Sequence, residues 1–251
     1  MSSPCSCAIF RTSGEERWLY VLGQSVAGAS VLETVSRGKH LLTRIDGERP
    51  WTLHTHLKME GSWRILAPAQ RWPRPAQQAR VVLETATTVA VGFSLGIVEL
   101  LLRDREGDAV GHLGPDLLGP DWDEDEALRR LRADPERPLG EALLDQRNLA
   151  GIGNLYQAEL CFVGGVHPST PIGDVQYLAR LVRRARQMLE LNKERAIQST
   201  TGDLRERERT WVYRRDARPC RRCGTPIRVE MLGPPGRERA AYWCPSCQPL
   251  G

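Results

Sequence analysis

Residues 143–168, LLDQRNLAGIGNLYQAELCFVGGVHP, decide the organisation of this chain. Gly151 and Gly153 frame a turn that runs directly into Asn154 and a segment with helical apolar spacing. Such a junction points backbone N–H groups and the positive end of a helix dipole outward, so that a phosphate can approach closely. The alternative is a plain helix cap, because most turns of this type bind no ligand.

Composition and charge limit the classes of function. The 251 residues are 41% apolar, so we expect the chain to fold. We expect a cytoplasmic protein without membrane contact, because the sequence lacks a long apolar run and the N-terminal pattern of a signal peptide. Residues 181–240 hold 16 Lys and Arg against 8 Asp and Glu. This excess favours nucleic acid as the partner, and a solvated basic helix face is the alternative.

Short segments rich in Val, Ile, Leu, Thr and Trp follow one another between residues 30 and 103. Their length and spacing predict an antiparallel β-sandwich or barrel. Later residues favour helices: one over DEDEALRRLRAD, one opened by Pro138 and Gly140, one after Asn154, and a long amphipathic one capped by Asp174. The predicted strands are SVLETV, HLLTRI, TLHTHLKM, SWRIL, ARVVLET, TVAVGF and IVELLL.

The strongest chemical signal is a cluster of four cysteines. Cys220 and Cys223 form one Cys-x2-Cys turn, and Cys244 and Cys247 form another after twenty residues. Two such turns complete a tetrahedral, closed zinc site, which is structural rather than catalytic. Disulfides and an iron site are the rivals; a reducing compartment disfavours the disulfides. The intervening residues predict two strands of a β-hairpin.

The order of these elements resembles the formamidopyrimidine-DNA glycosylase and endonuclease VIII family, close to its actinobacterial endonuclease VIII-like branch. The motifs that carry the resemblance are SRGKHLL, HTHLKMEGSW, GHLGPDLL, LLDQRNLAGIGNLYQAE and CRRCGTPI…YWCPSCQ, and it covers about residues 25–248. The resemblance implies an α+β fold in three parts. These are an N-terminal antiparallel β-sandwich over residues 1–107, a helix-two-turns-helix domain over 108–205 and a zinc β-hairpin over 211–248.

The resemblance also implies a function and a set of site residues. We expect a monomeric, bifunctional DNA glycosylase and abasic-site lyase that flips damaged bases out of double-stranded DNA and holds one structural zinc ion. Lys39 resembles a hairpin lysine near the lesion, with a catalytic and DNA-binding role, and Met59 resembles an apolar wedge. Asn154 and Arg239 resemble residues that grip DNA. The alternatives are a surface lysine, a core methionine, a helix cap and a solvated arginine.

The N-terminal sequence departs from the family pattern. Family enzymes begin with a proline amine followed by a glutamate once Met is removed, whereas Pro4 here is preceded by Ser2 and Ser3 and followed by Cys5. One explanation is an incorrectly assigned start, which we favour because the other motifs match. The other is a catalytically inactive zinc-dependent protein that binds damaged DNA. An RNA-associated zinc ribbon would explain the charge and cysteines but not the strands. A terminal amine on Ser2 could still form an imine with an abasic sugar.

Overall fold

The computed structural model describes residues 8–9, 28–236 and 238–250, so Ser2 and Pro4 lie outside the described residues. The chain divides into two compact units, Met1–His112 and Leu113–Gly251. The domain boundaries expected from the sequence, at residues 107, 205 and 211, stay predictions.

The first unit is built from antiparallel strands. The strands are β1 (Ala8–Ile9), β2 (Ser30–Arg37), β3 (His40–Asp46), β4 (Trp51–His56), β5 (Ser62–Leu66), β6 (Ala79–Glu84), β7 (Val89–Phe93) and β8 (Ile97–Leu102). They form two four-stranded sheets, ordered β1-β6-β7-β5 and β2-β3-β4-β8. All seven strands predicted from the sequence are present.

The two sheets share a core because side chains alternate along each strand. Ile45 on β3 and Leu53 on β4 are buried together with Val81 of β6 and with Leu95. These contacts join one sheet to the other and confirm the predicted β-sandwich. Residues with even numbers on β3 and β4 consequently line the opposite face of their sheet.

That opposite face carries polar groups that are paired with one another. The Arg44 guanidinium donates two hydrogen bonds of 2.9 Å to the Glu106 carboxylate. The Thr52 hydroxyl donates a third, of 2.5 Å, to the same carboxylate. Glu106 begins the short helix α1 (Glu106–Val110), so this network fastens α1 to the face of the sheet.

The second unit contains the remaining helices and a hairpin. They are α2 (Glu124–Leu131), α3 (Leu139–Leu144), α4 (Asn154–Gly164), α5 (Leu178–Glu190), and strands β9 (Arg228–Leu232) and β10 (Arg239–Trp243). The strands pair antiparallel, as the sequence predicted. Within the described ranges, no helix combines the length and apolarity needed to cross a bilayer.

The predicted capping of the long helix by Asp174 is wrong. Asp174 ends a 3-10 turn that begins at Ile172, and its backbone N–H donates to the Pro171 carbonyl. Val175 is then extended, and α5 begins only at Leu178, with Tyr177 as the capping residue. The prolyl residue fixes the turn before the helix can start, so a local turn replaces the expected first helical turn.

Glu159, in the middle of α4, is fully buried and accepts four hydrogen bonds. The backbone N–H groups of Trp211, Val212 and Tyr213 donate to its carboxylate at 2.7–2.8 Å, and the Thr200 hydroxyl donates as well. A buried carboxylate is tolerated only when its oxygens are satisfied in this way. Glu159 therefore ties the segment that leads into the hairpin to α4.

We expect Glu159→Ala to lower the free energy of unfolding by about 3 kcal/mol or more, because it leaves three buried backbone donors without an acceptor. Urea denaturation of the full-length protein, followed by circular dichroism and total tryptophan fluorescence, measures the change. Glu126→Ala is the matched control, since this glutamate pairs with Arg129 and Arg130 on the surface of α2. Its effect should be much smaller. Equal losses for the two variants would contradict the assignment.

Candidate nucleic-acid interface

Lys39 lies in a two-residue turn between β2 and β3. The pairing of Arg37 with His40 leaves only Gly38 and Lys39 in the turn, and Gly38 has a φ of 59°. A positive φ at the first position is the geometry that glycine permits in a tight hairpin. The turn therefore holds the Lys39 side chain at an exposed tip.

Met59 lies in a second turn, between β4 and β5, and this residue is 84% exposed. The Gly61 N–H donates to the Leu57 carbonyl at 3.0 Å and closes the turn, in which Lys58 adopts a φ of 54°. A Cβ at Gly61 would lie 2.4 Å from that carbonyl oxygen, so the turn requires glycine. The alternative of a core methionine is excluded, because Met59 is presented to solvent on a constrained turn.

Strand register brings the Lys39 and Met59 turns to the same end of one sheet. His40, the first residue of β3, pairs with His56, the last residue of β4, and His56 pairs with Ile97 at the start of β8. Each turn departs from this end. The sheet end thus carries cationic and apolar side chains together.

A histidine cluster, which sequence reasoning missed, lies beside these turns. His40, His54, His56 and His112 are four of the five histidines in the chain, and the other three rings surround His40 at centroid distances of 4.8–6.4 Å. Burial and the neighbouring imidazoles lower the pKa of His40 to about 4. Burial, followed by Lys58 and Lys39, lowers the pKa of His56 to about 4. The i, i+2 spacing in HTH was the available signal, because it places two histidines on one face of a strand.

Asn154 is the first residue of α4, and its side chain contacts the hairpin. Its Nδ2 donates to the Ala240 carbonyl at 2.8 Å, and its buried Oδ1 has no partner among the described residues. Gly151 supports the preceding turn with a φ of 115°. Gln146 braces this turn, accepting from the Gly151 N–H and donating to the Ile152 carbonyl.

Arg239 is the first residue of β10, where it pairs with Leu232 and is exposed. The next residue, Ala240, accepts the hydrogen bond from Asn154. The structure therefore brings Asn154 and Arg239 together in the second unit, while Lys39 and Met59 share the sheet end in the first unit.

The four cysteines Cys220, Cys223, Cys244 and Cys247 form the metal-ligand cluster. All four Sγ atoms lie within 4.8 Å of one another. Sγ distances of 4.0 Å for Cys220–Cys247 and 3.4 Å for Cys223–Cys244 agree with the ~3.8 Å edge of a tetrahedron with 2.3 Å Zn–S bonds.

The protonation of these thiols also fits a cation. Hydrogen bonds from Thr225 lower the pKa of Cys223 to about 6, whereas burial raises the pKa of Cys247 to about 12. Four clustered sulfurs cannot all be thiolates without positive charge between them. The donor set and spacing fit a divalent metal with soft-ligand preference.

Comparisons with known proteins agree with this architecture. Residues 10–94 match the family model described as Formamidopyrimidine-DNA glycosylase N-terminal domain, and residues 113–203 match the Formamidopyrimidine-DNA glycosylase H2TH domain. A probable endonuclease 8 2 of Streptomyces coelicolor is 54% identical over 226 residues, which cover 89% of this chain and 80% of the relative. A DNA-(apurinic or apyrimidinic site) lyase Nei2 of Mycolicibacterium smegmatis is 51% identical, with 89% and 84% coverage.

Solved structures share the fold at lower sequence identity. Lactococcus lactis Fpg (MutM), in complex with DNA containing N7-benzyl-Fapy-dG, superposes with a TM-score of 0.78 at 20% identity, covering 98% of this chain and 93% of that one. The same protein with abasic-site DNA gives a TM-score of 0.77. The predicted α+β fold is confirmed by these matches.

We expect Asn154→Asp to loosen the hairpin, because a carboxylate oxygen replaces the Nδ2 donor and repels the Ala240 carbonyl. Amide hydrogen exchange in β9 and β10 should accelerate, whereas exchange in the β2–β3 hairpin should not change. Unaltered protection of Ala241 and Tyr242 would contradict the hydrogen bond as a docking contact.

Proposed function

Because this chain belongs to the formamidopyrimidine-DNA glycosylase and endonuclease VIII family, we propose that it is a DNA repair enzyme, a bifunctional DNA glycosylase and abasic-site lyase. Its substrate is a damaged base in double-stranded DNA. The relatives named endonuclease 8 and abasic-site lyase, at 54% and 51% identity, support this activity.

The observation that carries the proposal is the sheet end shared by Lys39 and Met59. DNA binding needs cations for phosphates, and base flipping needs an apolar group to fill the gap in the stack. Lys39 supplies the cation and the exposed Met59 supplies the apolar group, and each residue lies on a constrained turn. In this proposal the protein grips the backbone with Lys39 and wedges the duplex with Met59, and it acts as a monomer.

In the second unit, α4 and the hairpin supply further DNA contacts. The first turn of α4 carries no acidic residue, so its N–H groups and dipole favour an anion. Asn154 contributes the second hydrogen of its Nδ2 group, since one already binds Ala240. Arg239, exposed at the start of β10, makes a bidentate contact with a phosphate.

The chemistry proceeds through an amine of the chain. The amine attacks C1′ of the damaged nucleoside, the base leaves, and the sugar opens to an imine. Removal of a C2′ proton shifts electrons into a C2′=C3′ bond and expels the 3′ phosphate, which cleaves the strand. Lys39 and the N-terminal amine are the two candidates for the nucleophile.

One zinc ion, held by Cys220, Cys223, Cys244 and Cys247, has a structural role. Four thiolates close its coordination sphere, so no position is open for water or substrate. The hairpin has few buried apolar residues of its own, and metal binding supplies the free energy that orders it.

Borohydride trapping on a duplex with one abasic site tests the function. Reduction of the imine should yield a covalent protein–DNA adduct, and strand cleavage should occur without borohydride. Peptide mapping of the adduct identifies the amine. Lys39→Ala should abolish the adduct if Lys39 is the nucleophile, and should only weaken binding if the terminal amine is. Tight lesion binding with no adduct would instead indicate a non-catalytic damaged-DNA-binding protein.

We expect metal removal to disorder the hairpin and weaken DNA binding while leaving the first unit folded. Metal analysis should find one zinc and no iron, and cobalt replacement should give the visible bands of tetrahedral thiolate ligation. Amide exchange of β9 and β10 should rise in the chelated protein and recover when zinc is restored. Full protection of the hairpin without metal would contradict the structural role.

A further inference from the structure

A chain of hydrogen bonds links Glu99, His54 and His40 across three neighbouring strands. Glu99 Oε2 on β8 lies 2.9 Å from His54 Nδ1 on β4, and His54 Nε2 lies 2.7 Å from His40 Nδ1 on β3. The His54 side chain is 3% exposed, whereas the Glu99 side chain reaches solvent. The strand pairing His54–Glu99 fixes the first contact.

The chain of contacts determines where each proton lies. Glu99 is a carboxylate and can only accept, so His54 donates from Nδ1. A neutral His54 then has an unprotonated Nε2, which must accept from His40 Nδ1. With this arrangement of protons, His40 is the tautomer whose Nε2 carries a lone pair, and an anion cannot bind there until this nitrogen takes up a proton.

His56 has the opposite arrangement. Its Nδ1 accepts the Lys58 backbone N–H at 2.9 Å, so the proton of the neutral ring lies on Nε2. His56 can donate to an anion without any change of charge. Protonation of His56 Nδ1 would remove the hydrogen bond that this nitrogen accepts from the Lys58 N–H.

The charges around His40 oppose its protonation in the free protein. Among the described residues, the groups near the ring that can carry positive charge are Lys39 on the β2–β3 turn, His54 and His56 on β4, Lys58 on the β4–β5 turn and His112 after α1. The carboxylate of the cluster is that of Glu99. Among the residues that the structure describes, the path that lowers the cost of a positive His40 runs through His54 to Glu99. A bound anion would lower the cost of a positive His40 as well.

We propose that His40 takes up one proton when a DNA phosphate binds at this sheet end, and that the Glu99–His54 pair is the positioning device that makes His40, rather than His56, the proton acceptor. The proposal rests on the DNA-binding function proposed above. It adds a coupling between DNA affinity and pH that this function does not require.

The sign of the coupling follows from the pKa of His40. In the free protein this pKa is lowered from 6.5 to about 4, so unfolding takes up a proton between these values and becomes more favourable as pH falls through that window. Phosphate binding raises the pKa of His40, because an anion favours the charged ring. Binding then takes up a proton, and affinity for DNA rises as pH falls from the pKa of His40 in the complex towards its pKa in the free protein.

Calorimetry on the zinc-loaded protein tests this coupling. The probe is a duplex with one tetrahydrofuran residue, an abasic analogue that cannot form an imine, titrated at about pH 6 in two buffers of different ionisation enthalpy. Up to one proton should be taken up per complex, and Kd should fall by up to about tenfold for each pH unit below the pKa of the complex. His40→Asn should remove this uptake, Glu99→Gln should reduce it, and His112→Gln, the control from the same cluster, should retain it.

Histidine nitrogen shifts in NMR spectra provide a readout that does not depend on variants folding. His40 should become protonated on DNA binding at about pH 6, and His56 should stay neutral with its proton on Nε2. A wild type that binds the duplex equally at about pH 8 and about pH 6 without proton uptake overturns this inference alone. A wild type that fails to bind at either pH overturns the proposed function instead.

Discussion

The second unit depends on the buried carboxylate of Glu159. A charge in the middle of a helix, removed from water, is stable only because three consecutive backbone N–H groups and one hydroxyl surround it. Helix α4 adds two further attachments, Asn154 to the Ala240 carbonyl at its start and the Val166 carbonyl to Gln248 Nε2 just beyond its end. One helix thus positions the hairpin, its cysteine cluster and the segment that precedes them.

Two clusters in this protein, one of thiols and one of imidazoles, bring together groups whose charged forms would repel one another. Four thiols lie within 4.8 Å of one another in the second unit, and their ionised forms are compatible only with a cation between them. Four imidazoles cluster in the first unit, where burial lowers the pKa of His40 and His56 and the Glu99 carboxylate contacts His54. Sulfur clusters of this kind bind cations. A cluster of neutral imidazoles can instead take up a proton when an anion binds beside it.

Periodicity and turn chemistry were sufficient to predict most of the fold. Alternating apolar residues gave the seven strands, the cysteine spacing gave the metal cluster, and Gly151 marked the turn before α4. The predicted start of α5 was wrong. Asp174 is a good capping residue by type, but Pro171 precedes it and the chain forms a 3-10 turn there instead. The histidine cluster could not be predicted, since it requires the register of β3, β4 and β8. The hydrogen bond of Asn154 is similarly non-local, joining residues that are far apart in the sequence.

The exposure of Met59 has a consequence for how binding responds to ionic strength. Contacts of lysine, arginine and protonated histidine with phosphates weaken as salt rises, because the release of condensed counterions into a more concentrated solution gains less free energy. A thioether side chain that enters the base stack gains roughly 1.5–3 kcal/mol from apolar burial, and this gain is nearly independent of salt. Since the constrained Leu57–Gly61 turn already presents Met59, little of that gain is lost to ordering the loop. The contact of Met59 with the base stack persists at high salt, and only a distorted duplex offers a gap for it. Raising the ionic strength should therefore lower the total affinity for DNA but preserve the preference for distorted over regular DNA.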